Sequence, residues 1–219
     1  MIKAVIFDVD GVIFDTEKVW KEAFYKSLEK FNLDLDENWR TGHLVGVSKD
    51  NFIEAEQPFF PEISVREWRS FMHDYVLDAC KAGRVDFKSG VLDIWKFLEQ
   101  NHIKKAIATG GDGVTMDYMF TRLGVNLHEV FPVVVKGVDV PYAKPKPDIF
   151  LLAARKLSLP ADECVVLEDS LNGVRAGIGA GCKTIMVLDQ VTPDDFAKKN
   201  CLSICNNLFE AKAKIEELL

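Results

Sequence analysis

Asp8 and Asp10 stand in the stretch AVIFDVDGVIFDT, residues 4–16, where an apolar run ends in two carboxylates and a glycine. Carboxylates this close repel one another and are costly to bury, so most strands end in something cheaper. Residues two apart on a strand face the same side, which lets both carboxylates reach one site. Gly11 allows the backbone to turn sharply behind them. A single aspartate after a strand is commonly a helix cap, and capping accounts for one of these two but not for both.

Further polar groups sit where other apolar runs end. Thr109-Gly110-Gly111 offers a hydroxyl and unhindered backbone N–H groups, which at a helix N-terminus form an anion-binding nest, although the same residues also make an ordinary turn. The spacing is not that of a nucleotide-hydrolase phosphate loop, which needs a following Lys-Ser/Thr. In AKPKPDIF, Lys144 precedes Pro145, which biases it to extended backbone, and Pro147-Asp148 opens the next helix. Lys144 can therefore present a fixed positive charge at the sheet edge, whereas Lys146 reads as a solvated loop residue. In VVLEDSLNG, Glu168 and Asp169 directly follow a buried run, and Ser170 or Asn172 can cap the helix beyond. Gathered at one sheet edge, Asp8, Asp10, Glu168 and Asp169 would face one lysine. Unit charges roughly 4 Å apart interact by about 4 kcal/mol at an effective dielectric near 20, so the cluster calls for a cation. Oxygen donors with room for phosphate and water point to Mg2+.

The elements that must position these residues alternate. IKAVIF (2–7), KAIAT, VFPVVV (130–135), CVVLE and KTIMVL are near-continuous apolar runs, as in parallel strands covered on both faces. Between them lie helix-period segments: GVLDIWKFLEQN, GVTMDYMFTRLG, PDIFLLAARKLS and LNGVRAGIGAG. The pattern predicts an α/β, Rossmann-like parallel sheet, with ligands at the carboxyl ends of the strands. From Thr16 to Phe87 the alternation stops and amphipathic segments take over, predicting a small helical cap domain (16–87) inserted in a catalytic core made of 1–15 and 88–219. The junctions fall at Asp15-Thr16, where either side chain could cap a helix, and near Val85 to Gly90. Trp20, Trp39 and Trp68 belong to the insertion and read most simply as its core. NLFEAKAKIEELL is an amphipathic helix that packs on the sheet.

Composition narrows the class. With 48% hydrophobic and 28% charged residues, a 219-residue chain buries a real core. A net charge of −7 and no Lys/Arg-rich run argue against nucleic acid and anionic membrane partners, so any anionic substrate must be met locally. No apolar stretch approaches a membrane span and no signal peptide precedes the first strand, so a cytoplasmic protein is expected. Cys80, Cys164, Cys182, Cys201 and Cys205 form no CxxC pair and read as reduced, buried thiols. The alternation of Cys201, Ser203 and Cys205 with Leu202 and Ile204 is that of a short strand.

The ordered motifs DVDGV, IAT, KPKPDIF and LEDSLNG resemble the haloacid dehalogenase-like superfamily over essentially the whole chain. The helical insertion after the first strand is similar to that of the subfamily containing β-phosphoglucomutase, phosphoglycolate phosphatase and sugar-phosphate phosphatases. The resemblance implies phosphoryl transfer through an aspartyl-phosphate on Asp8. Asp10 would protonate the leaving oxygen and then deprotonate water. Thr109, the Gly110 N–H and Lys144 would hold the phosphoryl oxygens. Mg2+ would be held by the Asp8 carboxylate, the Asp10 carbonyl and Asp169, with Glu168 a further candidate. Asp10 also speaks against dehalogenation, because the superfamily's dehalogenases lack that aspartate. In the cap, Trp20 and Lys49 occupy the places of the mutase branch's histidine and arginine, and LVGVSK, with Gly46 and Val47, resembles its specificity loop.

The expected activity is a Mg2+-dependent phosphatase acting on a small phosphorylated metabolite, a sugar or polyol phosphate, as a monomer. The alternative is a phosphohexomutase of the β-phosphoglucomutase kind, which needs a further phosphate grip that hydrolysis does not. A signalling receiver module also holds an aspartyl-phosphate near a Thr and a Lys. There the acceptor lies mid-chain, the acidic pair comes first and no helical domain is inserted. A chain that kept the fold and lost activity is disfavoured because every matched catalytic position is filled.

Overall fold

A computed structural model of the chain describes residues 1–219 except Ser48 and Asp112, and except the side chains of Lys49, Asp50 and Asn51. In chain order the elements are β1 (Ala4–Phe7), α1 (Glu17–Phe31), α2 (Glu37–His43), α3 (Lys49–Glu56), α4 (Val65–Lys81), α5 (Val91–Gln100), β2 (Lys104–Thr109), α6 (Val114–Arg122), α7 (Leu127–Val130) and β3 (Val133–Lys136). There follow α8 (Asp148–Lys156), β4 (Cys164–Glu168), α9 (Leu171–Gly179), β5 (Lys183–Val187), α10 (Asp195–Asn200), β6 (Ser203–Cys205) and α11 (Leu208–Glu216).

The strands form one six-stranded sheet in the order β3-β2-β1-β4-β5-β6, all pairs parallel. The α/β, Rossmann-like expectation is met. Strand order reverses about β1, which pairs β2 on one side and β4 on the other. Such a switch point leaves a crevice at the strand ends, because the two following connections depart to opposite faces. The alternating side chains of β1 divide accordingly. Val5 and Phe7 join a core with Trp95, Phe120 and Phe131, whereas Ala4 and Ile6 pack with Ala106, Ala108 and Phe150 on the other face.

Two boundaries differ from the pattern. The apolar run at 130–135 begins as a helix end, since α7 runs to Val130 and the strand starts only at Val133, after Pro132. β6 is limited to Ser203–Cys205, because Cys201 closes α10 and donates its backbone N–H to Ala197.

No strand lies between Thr16 and Phe87 among the described residues; helices α1 to α4 occupy the segment. Trp68, on α4, is fully buried and stacks on Trp39 at 5.6 Å, with Phe24 and Phe52 packed in the same core. Its indole N–H donates to Ser27 Oγ at 2.6 Å, and that hydroxyl donates to the Phe24 carbonyl. Trp39 and Trp68 thus serve the helical core, but Trp20 faces the cleft between helices and sheet. The two chain crossings between these layers lie side by side: Asp15 N–H donates to the Asp86 carbonyl and Lys88 N–H to that of Ile13. Among the described residues no helix is long and apolar enough to cross a membrane.

Candidate active site

The β1 pairing runs one residue beyond the strand, as Asp8 N–H donates to the Leu167 carbonyl of β4. Asp8 therefore keeps the facing of Ile6 and points toward Ala108, Phe150 and Lys144. Its carboxylate contacts Lys144 Nζ, which also donates to Glu168 Oε1 at 2.6 Å and to the Ala108 carbonyl at 3.2 Å. All three residues are at most 7% exposed. Burial raises the Asp8 carboxyl to about 7; Lys144 opposes the rise and Glu168 adds to it. The Lys144 ammonium is held well above its ordinary value by Asp8 and Glu168, although burial pulls it down.

Glu168 has both oxygens engaged. Oε1 accepts from Lys144, and Oε2 accepts from the Ser170 N–H and hydroxyl, each at 2.9 Å. This makes it the counter-ion that fixes Lys144. Ser170 also caps α9 by accepting from Gly173 N–H, while Asn172 reaches across the cleft to the Gly46 carbonyl at 3.4 Å.

Asp169 is 4% exposed, and its carboxyl is raised well above the ordinary range by burial first and then by Glu168, Glu17, Asp8 and Asp189. Gly11, at φ +72°, passes so close that a Cβ there would lie 2.2 Å from Asp169 Oδ2. Only glycine combines that backbone conformation with that approach. Asp10 directly precedes Gly11, with its Oδ1 accepting from the Thr16 hydroxyl at 2.7 Å. The expectation that Thr16 or Asp15 caps α1 by its side chain is corrected here. The α1 N-terminus has no side-chain cap, Thr16 is spent on Asp10, and Asp15 pairs with Lys18.

Thr109 ends β2 and is buried; its hydroxyl accepts from Gly111 N–H at 3.2 Å and keeps its own proton to donate. Thr109, Gly110 and Gly111 line a cleft of about 660 Å³ together with Asp8, Asp10, Lys144, Glu168 and Asp169. Trp20, Gly46 and Val47 line its opposite wall. Lys49 falls outside the residues whose side chains are described. Lys146 is exposed and takes no part.

Sequence reading missed a second charged group in this cleft. Glu17 is buried with its carboxyl raised to about 7, by burial first and then by Asp10, with Arg40 opposing. Arg40, 1% exposed, reaches Glu17 at 3.6 Å and Glu37 at 3.0 Å. Arg66, Arg69 and His73 of α4 also line the cleft. Asp189, 8% exposed in its side chain, lies 3.2 Å from Lys88 Nζ. For Glu17 and the cations the only sequence signal is charge on helices, which by itself does not distinguish solvent from cleft, whereas Asp189 follows the apolar run of β5.

A doubly wound sheet with a buried, lysine-clamped aspartate at its switch point defines an open-sheet α/β enzyme with an acidic site at the strand ends. Residues 2–181 match the haloacid dehalogenase-like hydrolase family, and the chain belongs to it. Among its relatives is protein CbbY of Cereibacter sphaeroides, 28% identical over 195 residues that cover 85% of this chain and 84% of that protein. The phosphorylated carbohydrates phosphatase of Thermotoga maritima is 29% identical over 84% of each chain. The crystal structure of CbbY from Rhodobacter sphaeroides in complex with phosphate superposes with a TM-score of 0.80, at 26% identity and over 96% of each chain.

Proposed function

We propose that the protein is a Mg2+-dependent phosphatase that hydrolyses a small phosphorylated sugar or polyol through an aspartyl-phosphate on Asp8, with residues 16–87 as the cap over the site. The observation that carries this reading is the clamped Asp8: a buried carboxylate fixed by Lys144, itself fixed by Glu168, beside the Asp10 that Thr16 orients. Asp8 is placed to attack phosphorus, and Asp10 to protonate the leaving oxygen and then take a proton from water. Lys144, the Thr109 hydroxyl and the Gly110 N–H face the charge that gathers on the phosphoryl oxygens. The name of the Thermotoga maritima relative, a phosphatase of phosphorylated carbohydrates, supports the substrate class.

The donor set fits a hard divalent cation. Asp169 is buried among carboxylates that positive charge would relieve. No three acidic, His or Cys side chains among the described residues are grouped to hold an ion by themselves. We assign the site to Asp8, Asp169 and the Asp10 carbonyl, which adds a neutral oxygen donor to the two carboxylates. A bound Mg2+ supplies charge neutralisation between an anionic nucleophile and an anionic ester. Glu168, whose oxygens accept from Lys144 and Ser170, serves first as the counter-ion of Lys144 and stays a further candidate for the set. Trp20 lacks the proton-transfer capacity of the mutase-branch histidine, and hydrolysis requires only water.

The test is inorganic phosphate release from a panel of sugar, polyol and glycolate phosphates and nucleotides, with Mg2+ and then with EDTA, beside Asp8→Asn. Release that needs Mg2+ and falls at least about 10³-fold in the variant is expected. Equal release by Asp8→Asn would rule out the aspartyl-phosphate.

A further inference from the structure

Arg69 is a charged side chain of the cleft that the hydrolytic scheme leaves unused. On α4 it shares one helix face with Arg66 and His73, three and four residues away, and all three line the cleft. The neighbouring cations are committed, Lys144 to Asp8 and Glu168, and Arg40 to Glu17 and Glu37. Arg69 forms no ion pair among the described residues, and its Nε and Nη1 are buried without a hydrogen-bond partner. Its guanidinium lies 4.4 Å from the centre of the Trp20 ring and 5.9 Å from that of Phe52. The indole face holds the cation in place and offsets part of its lost hydration. Burial lowers its pKa to about 10, against the pull of Asp10 and Glu17, so it stays charged at neutral pH.

A half-buried guanidinium whose Nε and Nη1 are shielded from water without a partner is unfavourable in the free protein and is relieved by an anion. We propose that Arg69, seated on Trp20, binds a second anionic group of the substrate, a phosphoryl or carboxylate carried at the end remote from the ester that Asp8 attacks. This rests on the phosphatase reading. The phosphoryl group undergoing hydrolysis is met on the sheet wall by Lys144, Thr109 and Gly110, and Arg69 stands on the helical wall. A cleft of about 660 Å³ has room for a small metabolite between the two. Arg66, exposed on the same face, adds attraction in a chain whose net charge of −7 repels anions elsewhere. The His73 ring lies 6.4 Å from that of Trp20.

The experiment compares kcat/KM for three alkyl or polyol phosphates of equal length, ending in a hydroxyl, a carboxylate or a second phosphate. Wild type, Arg69→Gln and Arg69→Lys are measured side by side. Wild type is expected to favour one or both doubly anionic compounds by about tenfold or more, and the two arms tell carboxylate from phosphate. In Arg69→Gln that ratio collapses toward one, chiefly through KM, and Arg69→Lys retains part of it as a point charge without the planar fork. Because each ratio is taken within one protein, a general loss of activity cancels.

Calorimetric binding of the same compounds to Asp8→Asn, with and without Arg69→Gln, needs no turnover. Selective binding there without turnover in wild type would sustain the Arg69 site and overturn the phosphatase. The same ratio in wild type, Arg69→Gln and Arg69→Lys, or no preference for a second charge in either assay, overturns the Arg69 site.

Discussion

At the residue scale, the site is a contest between burial and charge. Asp8 and Glu168 share Lys144, but Asp169 has no such partner and sits among like charges. The sign of its effect follows from linkage. A carboxyl whose folded pKa is raised binds a proton more tightly in the folded chain, so stability is highest at low pH. It declines as pH rises from the ordinary value of 3.8 to the raised one. Asp169→Asn removes that cost. In metal-free protein at pH 8 the variant should melt above wild type, by about 3 °C per kcal/mol recovered, yet gain nothing from Mg2+ and release no phosphate. Differential scanning calorimetry with EDTA and with Mg2+ checks this. A variant that melts lower without metal, and still responds to Mg2+, contradicts it.

At the element scale, α9 shows packing overriding propensity. Alanine in place of glycine within a helix ordinarily stabilises by about 1 kcal/mol. At Gly173, however, a Cβ would stand 1.7 Å from Glu168 Oε1, so the helix can approach β4 only because the side chain is absent. Gly173→Ala must push Glu168 off Lys144 or lift the helix from the strand. A net loss of about 2 kcal/mol or more is expected from urea unfolding, together with loss of phosphate release, since the clamp on Asp8 is released. An unchanged or higher urea midpoint would show that Glu168 adjusts freely.

At the scale of the whole molecule, the packing of helices and sheet hides the thiols. Cys80, Cys164, Cys182 and Cys205 are buried, Cys201 is half-buried, and all five are free. Burial pushes the Cys182 thiol up to about 12 and those of Cys80, Cys164 and Cys201 to about 11. Since the thiolate is the reactive form, native protein at pH 8 should react slowly with Ellman's reagent, and unfolding in urea should expose all five groups. One rapid equivalent in the native protein would place a thiol in a more open setting than this fold gives.

The chain's local chemistry determined the sheet, the helical insertion and the motif residues, because those signals are short range. Apolar runs read as buried strands whatever surrounds them, and Asp8 and Asp10 are conspicuous at the end of one. The same locality explains what stayed hidden. Arg40 and Arg69 look like surface charge on their own helices, and Glu17 like a helix-start acid, until α1, α2 and α4 fold over the strand ends, burying Arg40 and Glu17 and half-burying Arg69 in the cleft. Thr16 reads as a cap until the turn at Gly11 brings Asp10 to its hydroxyl. Glu168 and Asp169 are adjacent and chemically alike in sequence. Only the tertiary arrangement turns one to Lys144 and Ser170 and leaves the other facing the carboxylates, because a side chain's task is fixed by partners from distant parts of the chain.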